Sequence, residues 1–176
     1  MNTTDKISLT EFNQSNEQMA SETLLRCCSS QNWVKGMIES RPFSSIAGMC
    51  AKSSSIWFSL KEEDYLQAFD AHPKIGDISS LKEKYAKTKA WASGEQSGAA
   101  IQDEQILQEL KLANDEYFQK HGFIFIIYAT GKTAPEMLQI LKNRLPNDRT
   151  AEIRNAAVEQ DKITRLRIEK GIYEHE

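Results

Sequence analysis

The sequence lacks a long hydrophobic run and a surplus of basic residues. Its longest apolar run, residues 122–129, is far shorter than the roughly twenty residues that a membrane-spanning helix needs, so no membrane-spanning segment is expected. Lys and Arg number 22 against 25 Asp and Glu, a net charge of −3. This charge argues against nucleic acid as a partner, because such binding depends on a basic face. Residues 1–6 resemble no secretory signal and residues 173–176 match no organelle address, so a cytoplasmic location is expected.

The sequence also has few cysteines, at Cys27, Cys28 and Cys50. An odd number with two adjacent suits neither a disulfide framework nor a spaced zinc site. The three residues are therefore predicted to be reduced thiols in or near the core.

Motifs for metal and phosphate binding are absent as well. His121 and His175 have no partner at metal-ligand spacing, so no bound metal is expected. Gly94 and Gly98 are too few for a phosphate-binding loop, and the Lys-Ser/Thr pair that should follow them is missing. Nucleotide binding is therefore not expected.

The composition is that of an ordinary globular protein. Of the 176 residues 40% are hydrophobic, and seven Phe, five Tyr and three Trp can bury enough apolar surface to offset the entropy of the chain. With no repeats and no evident linker, residues 1–176 are predicted to form a single domain. The prevailing periodicity is helical, which predicts an all-α, single-domain bundle of about eight to ten helices.

Helix starts are marked by three capping boxes, in which a hydroxyl and a carboxylate each bind a free backbone N–H group. These lie at residues 8–11 (S-L-T-E), 80–83 (S-L-K-E) and 133–136 (T-A-P-E). The second predicts a polar helix through residue 90, and the third, with Pro135 in its first turn, a helix that Pro146 ends. Residues 91–98 contain two Gly and two Ser and predict a loop or a helix N-terminus, followed by a helix that includes Leu107, Leu112 and Tyr117.

Apolar residues three and four apart predict further helices. One begins near Glu17, and another contains Trp33 to Ile38 and ends before Pro42. Residues 44–52 are predicted to be one helix. After the serines at 53–55 a second helix is predicted from Ile56 to an end at His72-Pro73, with a possible interruption near Leu60. A last long helix is predicted over residues 150–169.

Residues 122–129 (G-F-I-F-I-I-Y-A) have the composition of a buried strand. With no second candidate strand in the chain, a lone strand would leave its backbone groups unpaired in the interior. We therefore predict either a buried helix or a distorted, partly extended segment whose free amides face a ligand. A purely structural role in the core is the alternative.

Two further places could carry chemistry. Pro73 biases His72 toward extended dihedral angles at a helix end, and an imidazole can exchange a proton near neutral pH. Glu95 and Gln96 follow small residues that would let a backbone approach a polar heterocycle closely. The alternatives are a histidine favoured at a helix C-terminus by the helix dipole and an ordinary surface loop.

Five arginines near the C-terminus could bind an anionic substrate through their planar guanidinium groups. They are Arg144, Arg149, Arg154, Arg165 and Arg167. For most of them we expect instead a solvated face with intrahelical pairs to Glu152, Glu159 and Glu169.

Six short motifs of the sequence together resemble those of the OHCU decarboxylases (2-oxo-4-hydroxy-4-carboxy-5-ureidoimidazoline decarboxylases) of urate breakdown. They are residues 71–77 (A-H-P-K-I-G-D), 94–98 (G-E-Q-S-G), 114–117 (N-D-E-Y), 120–129 (K-H-G-F-I-F-I-I-Y-A), 141–145 (L-K-N-R-L) and 162–168 (K-I-T-R-L-R-I). The resemblance extends over residues 12–170. Any one of these motifs alone would be weak evidence for the family, but their combination is specific.

The resemblance implies an all-α enzyme without cofactors, in which the proton donor is His72 and the acidic residue beside it is Glu95. It also implies substrate contacts from Pro73, Ala92, Ser93, Gly94, Gln96, Phe125, Ile126, Ile127, Tyr128 and Ala129. The arginine that meets the substrate carboxylate stays open, with Arg165 as the preferred candidate. The implied partner is a small ureidoimidazoline, and related enzymes suggest a homodimer.

One position departs from the family pattern, and two other functions stay open. The family motif S-x-x-E-Q would place Ser at position 92, where this chain has Ala92. Ser93, a backbone amide or water would therefore have to replace the hydroxyl of the family's serine. A helical binding or regulatory module that kept the fold and lost the chemistry is the first alternative. A lyase or hydrolase that acts on another ureide is the second.

Overall fold

The computed structural model describes residues 6–73 and 97–174 of the chain. The helices of these ranges are α1 (Leu9–Gln14), α2 (Glu17–Cys27), α3 (Gln31–Glu39), α4 (Ile46–Phe58), α5 (Glu62–Asp70), α6 (Ser97–His121), α7 (Ala134–Arg144) and α8 (Arg149–Gly171). The predicted all-α fold is confirmed, and the eight helices of the described ranges agree with the expected number. The capping box at 80–83 and its helix lie outside the described residues.

A short pair of strands was not expected. Strand β1 (Ile7–Ser8) pairs in parallel with β2 (Ile172–Tyr173), with Ile7 opposite Ile172 and Ser8 opposite Tyr173. Two residues are too few to show the alternation that identifies a strand in a sequence. The sequence reasoning, which found no second candidate strand, missed this short pair, and the all-α class still holds.

The chain divides into two compact units, which are described separately. The first contains Met1–Ala71 and Ala157–Glu176, and the second contains His72–Ala156. The prediction of one domain over residues 1–176 stays a prediction.

Helices α1 to α5 and the later part of α8 build the first unit around large side chains that are almost fully buried. These include Phe12, Leu24, Trp33, Met37, Met49, Trp57 and Phe69. Trp57 packs against Tyr65 with ring centroids 4.6 Å apart, and its indole nitrogen donates to the Ala157 carbonyl oxygen at 2.8 Å. Burial of a Trp indole is tolerated here because its N–H has found a partner.

Local signals located most helix boundaries correctly. Ser8 caps α1 by accepting a hydrogen bond from the Glu11 amide at 3.1 Å. Thr133 and Glu136 form both hydrogen bonds of the capping box that starts α7, and Leu145 caps its end just before Pro146. The start of α6 at Ser97 confirms the helix N-terminus expected at the end of the 91–98 stretch, as far as that stretch is described.

The predicted break at the serines of 53–55 was wrong, because α4 continues through them. Ser53 is fully buried and accepts a hydrogen bond from the Trp33 indole nitrogen at 3.2 Å. The Ser54 hydroxyl donates to Asp161 at 2.7 Å. These distant partners satisfy hydroxyls that would otherwise compete with the helix backbone. The interruption near Leu60 is confirmed, since α4 ends at Phe58 and α5 begins at Glu62.

Helices α6 and α7 and the start of α8 build the second unit. Its buried side chains include Leu107, Leu110, Tyr117, Phe123, Met137 and Leu141. The buried face of α6 excludes Leu112, which the sequence placed among its apolar positions but which is 62% exposed. Leu107 and Leu110 face the core instead.

The cysteine prediction is confirmed. Cys27, Cys28 and Cys50 are free thiols and all three are buried. Burial is the main reason that the pKa of Cys27 rises to about 11 and that of Cys28 to about 12. Among the helices of residues 6–73 and 97–174, none combines the length and apolar content needed to cross a membrane.

Candidate active site

The strand-like run of the sequence lies between α6 and α7 and is neither helix nor strand. Gly122, with a φ of +81°, follows the end of α6, and its amide donates to the Phe118 carbonyl at 2.8 Å. Gly131, with a φ of +78°, lies in the turn before α7. Both glycines adopt a conformation that other residues rarely take. Of the two predicted forms, the buried helix was wrong and the irregular segment is confirmed.

Residues 125–129, the 125–129 segment hereafter, are largely inside the second unit. Phe125, Ile126 and Ile127 are 4%, 2% and 8% exposed. Among the described residues, no acceptor takes a hydrogen bond from the backbone N–H groups of these three residues. Buried amides are nearly always paired in folded proteins. Three adjacent unpaired amides therefore provide donors that a ligand with carbonyl or carboxylate oxygens could use.

Three carbonyl groups of the segment accept hydrogen bonds from Arg144 and Lys132. Arg144 donates from Nη1 to the Ile126 oxygen at 2.8 Å. Lys132 donates from Nζ to the Tyr128 oxygen at 2.7 Å, and its amide donates to the Ala129 oxygen at 3.0 Å. The segment is thus irregular in dihedral angles but fixed at three of its carbonyls.

Arg144 belongs to a buried charged cluster with Glu152 and Tyr117. Arg144 Nε lies 2.8 Å from Glu152 Oε1, with side chains 11% and 0% exposed respectively. The Tyr117 hydroxyl donates to the same carboxylate oxygen at 2.6 Å. The other oxygen, Oε2, accepts from Asn155 at 2.7 Å and from Asn147 at 3.0 Å. Such full hydrogen bonding is what a buried carboxylate needs to remain charged.

The electrostatics of this cluster keep the glutamate ionised and the phenol protonated. Burial acts to raise the pKa of Glu152, but its hydrogen bonds and the Arg144 charge outweigh burial, so the pKa lies below the ordinary 4.5. Burial, followed by the hydrogen bond to Glu152, raises the pKa of Tyr117. The phenol therefore remains a donor to the carboxylate at every physiological pH.

The arginine prediction needs correction at this cluster. A solvated face with intrahelical pairs was expected for most of the five arginines, and Arg144 is an exception: it joins α7 to Glu152 on α8 and lies over the Phe125 ring at 4.6 Å from the centroid. Among the described contacts Glu159 pairs with Lys162. Periodicity identifies which helix face a residue occupies, but it does not identify the partner on another helix.

His72 and Pro73 come directly after α5 and its C-cap Ala71. His72 is half-buried and Pro73 is exposed, and both belong to the same unit as the 125–129 segment. The helix therefore ends where the proline predicted. The role of His72 as proton donor stays a prediction.

The other predicted site residues fall in two places. Ala92, Ser93, Gly94, Glu95 and Gln96 lie outside the described residues. Arg165 lies on α8 in the first unit, is exposed, and donates from Nη1 to Ser54 Oγ at 3.4 Å. Within the described ranges, no group of three or more His, Cys, Asp or Glu side chains is arranged to hold a metal ion.

Sequence reasoning did not single out Tyr117, Glu152, Asn147 or Asn155 as functional residues. The motifs at residues 114–117 and 141–145 contributed to the family resemblance, but they did not indicate what role their residues play. A buried tyrosine within an apolar stripe, together with an Arg and a Glu on successive helices, was the available signal. It is weak because such residues are common on helix surfaces.

The comparisons with known proteins agree on one family. The model described as OHCU decarboxylase matches residues 13–169 of this chain. The uric acid degradation bifunctional protein TTL of Arabidopsis thaliana is 39% identical over 145 residues, which are 82% of this chain and 44% of that protein. The 2-oxo-4-hydroxy-4-carboxy-5-ureidoimidazoline decarboxylase of Halalkalicoccus jeotgali is 24% identical over 94% of this chain and 92% of its own length.

A solved structure gives the same result. A crystal structure of an OHCU decarboxylase in the presence of (S)-allantoin is 36% identical, has a TM-score of 0.68, and is matched over 89% of this chain and 97% of that one. The chain spans less than half the length of the bifunctional relatives, 44% of the plant protein and 32% of the PucL protein of Bacillus subtilis.

Proposed function

Because the chain belongs to the OHCU decarboxylase family, we propose that it converts 2-oxo-4-hydroxy-4-carboxy-5-ureidoimidazoline to (S)-allantoin and CO₂ in urate breakdown. The observation that carries this proposal is the family match over residues 13–169. That range contains His72, Glu95 and the 125–129 segment. The similar structure solved in the presence of (S)-allantoin supports the same product.

The reaction needs few protein groups. When the bond from the ring carbon to the carboxylate breaks, its electron pair forms a double bond to the carbon that carries the ureido group, and the π pair of the ring C=N bond moves to nitrogen, which takes up a proton. The hydroxyl of the resulting enol then loses its proton and becomes a carbonyl while a proton is added at the carbon that carries the ureido group. Because the ring itself accepts the electron pair, the protein can act without a cofactor, by orienting the substrate and transferring protons.

We assign the proton transfer to His72, with Glu95 beside it. Pro73 fixes the backbone after His72, and Gln96 contacts the ring. The remaining predicted contacts are Ala92, Ser93, Gly94 and Arg165. Ser93, a backbone amide or water takes the place of the hydroxyl that Ala92 lacks.

The 125–129 segment supplies the part of the proposed site that the structure describes in most detail. The unpaired amides of Phe125, Ile126 and Ile127 are buried, where a hydrogen bond to an oxyanion is stronger than in water. Such donors would stabilise the negative charge that develops on the ring as CO₂ leaves. Tyr128 and Ala129 follow in the same segment and are the remaining contacts that we propose from it.

We further propose that the chain acts in the cytoplasm as a homodimer whose only ligand class is the small ureidoimidazoline, with no nucleic acid or membrane partner. The net charge of −3 supports the absence of a nucleic-acid partner. Light scattering at micromolar protein concentration tests the dimer. The mass of a monomer at micromolar concentrations would contradict the proposed homodimer.

Product chirality tests the activity directly. The uncatalysed reaction gives racemic allantoin, whereas an enzyme that protonates one face gives one enantiomer. We expect a circular dichroism signal of (S)-allantoin when this protein is added to urate treated with the two preceding enzymes. A racemic product that forms at the uncatalysed rate would refute the proposed function.

The substitution His72→Asn tests the proton donor. Asn keeps a polar side chain of similar size but cannot transfer a proton at neutral pH. We expect turnover to fall to the uncatalysed rate while the helical spectrum and melting temperature are unchanged. Retained turnover would contradict the role of His72 without contradicting the family assignment.

A further inference from the structure

Arg144 links the buried Glu152 carboxylate to the backbone of the 125–129 segment. We propose that Arg144 and Glu152 are positioning residues that aim the backbone amides of this segment at the substrate, with Tyr117 fixing the carboxylate. The inference rests on the proposed function, because it assigns a role within that site. Neither residue needs to touch the substrate itself.

The geometry of the peptide bond connects Arg144 to an amide that it does not contact. The Ile126 carbonyl and the Ile127 N–H belong to one planar, trans peptide unit, so they point to opposite sides of the chain. Arg144 Nη1 holds the Ile126 oxygen at 2.8 Å. It thereby sets the direction of the Ile127 N–H, which is one of the unpaired buried amides.

This control is needed because the segment has no regular secondary structure. In a helix or sheet, neighbouring hydrogen bonds would fix each peptide plane. Here the plane between Ile126 and Ile127 depends on Arg144, and the plane between Tyr128 and Ala129 depends on Lys132, whose Nζ holds the Tyr128 oxygen at 2.7 Å. A rotation of either plane would turn an amide away from its target.

An arginine suits this task better than a lysine does. Its planar guanidinium places Nε on Glu152 at 2.8 Å and Nη1 on Ile126 at 2.8 Å at the same time. Its face lies over the Phe125 ring at 4.6 Å from the centroid. A lysine ammonium is a single point and cannot reproduce both hydrogen bonds and the stacking.

Glu152 makes the arginine immobile. Its side chain is 0% exposed, and each carboxylate oxygen receives two hydrogen bonds. The donors are Tyr117 and Arg144 on Oε1 and Asn147 and Asn155 on Oε2. A carboxylate held by donors from α6, α8 and the α7–α8 connection has one available orientation, and so does the guanidinium bound to it.

Arg144→Lys tests this role, with Arg149→Lys as a matched control. Arg149 also donates to a backbone carbonyl, that of His121 at 3.0 Å, and also lies over a phenylalanine ring, that of Phe123 at 6.0 Å. It differs from Arg144 in holding a residue outside the 125–129 segment. Tyr117→Phe is a milder variant that removes one hydrogen bond from Glu152 without removing a charge.

Three measurements on the full chain separate positioning from stability. We expect Arg144→Lys to raise the inhibition constant of (S)-allantoin at least tenfold and to reduce the enantiomeric excess of the product. We expect amide hydrogen exchange in residues 125–129 to accelerate at least tenfold. Arg149→Lys is expected to change each of these less than twofold, and Tyr117→Phe to change them in the direction of Arg144→Lys.

Each result supports or overturns the inference. If Arg144→Lys lowers the melting temperature but leaves the inhibition constant and the chirality unchanged, the cluster is only structural. If Arg144→Lys does not fold, unchanged values for Tyr117→Phe overturn the inference. If the unaltered protein neither turns over the substrate nor binds (S)-allantoin, the proposed function has failed. Exchange in residues 125–129 that is no faster in Arg144→Lys than in Arg149→Lys would then overturn the positioning role separately.

Discussion

His121 at the end of α6 offers a quantitative test of how burial affects stability. The side chain is 1% exposed, and neither ring nitrogen has a hydrogen-bonding partner among the residues that the structure describes. The ring packs against Tyr117 at 4.5 Å and Phe123 at 6.1 Å between centroids. A neutral imidazole has one donor and one acceptor, so burial leaves both without a partner.

Replacing this imidazole by a phenyl ring should stabilise the protein. An unpaired buried polar group costs about 1–3 kcal/mol, and His121→Phe removes that cost while keeping an aromatic ring between the same neighbours. For a chain of this length each kcal/mol corresponds to roughly 2–4 °C in melting temperature. We therefore expect the free energy of unfolding at pH 7.5 to rise by about 1–3 kcal/mol.

The same substitution should change the pH dependence of stability. Burial lowers the pKa of His121 from 6.5, and Lys120 and Arg144 act in the same direction. The backbone of Leu145, which lies near the ring without forming a hydrogen bond of normal geometry, and the Glu152 carboxylate oppose this shift of the pKa. As pH falls below 6.5 the unfolded chain therefore binds a proton that the folded protein resists. The free energy of unfolding therefore decreases as the pH falls. Well above pH 6.5 both states are neutral and His121 contributes no slope.

Urea unfolding at pH 7.5 and at pH 5.5 measures both effects. The unaltered protein should lose stability between the two pH values, and His121→Phe should lose less. His121→Asn is the matched control, because it stays polar without titrating in this range and should reduce the slope without the gain at pH 7.5. Identical slopes for the unaltered protein and His121→Phe would refute the reasoning.

Three shorter predictions follow from other contacts. Thr133→Ala removes half of the capping box of α7 and should lower the free energy of unfolding by about 1 kcal/mol, measured by urea titration; an unchanged midpoint would contradict the capping role. Cys27 and Cys28 are buried and have raised pKa values, so a thiol reagent at pH 8 should label them only after unfolding; rapid labelling of the folded protein would show that they are accessible. Glu152 has a lowered pKa, so its stabilising contribution is complete above pH 4.5 and is lost as pH falls through its folded pKa, a loss that Glu152→Gln should abolish in acid unfolding curves.

Local features of the sequence were sufficient for much of the fold. A hydroxyl followed three residues later by a carboxylate marked the starts of α1 and α7, because a helix end needs partners for its free amides wherever it lies. The lack of a pairing partner for residues 122–129 excluded a sheet strand there. The same reasoning did not distinguish a helix from an irregular segment, since both can bury apolar side chains.

The candidate site was only partly accessible to the same reasoning. The sequence indicated the 125–129 segment, and its irregular backbone is confirmed. It expected a solvated face for most of the five arginines without identifying the exception, whereas the structure buries Arg144 between Glu152 and the Ile126 carbonyl. No periodicity could have shown this, because the partners lie on α8 and in the connection between α6 and α7.

The amino-acid sequence by itself determined the helical class, the main helix boundaries and the family. Helix caps, apolar spacing and specific sequence motifs are all properties of neighbouring residues. Tertiary structure alone decided that α4 continues through its serines, that Ile7 pairs with Ile172, and that Arg144 holds the backbone at Ile126. Each of these depends on a hydrogen-bonding partner far away in the sequence. The energy of such a bond exists only once folding has brought the two groups within about 3 Å of each other.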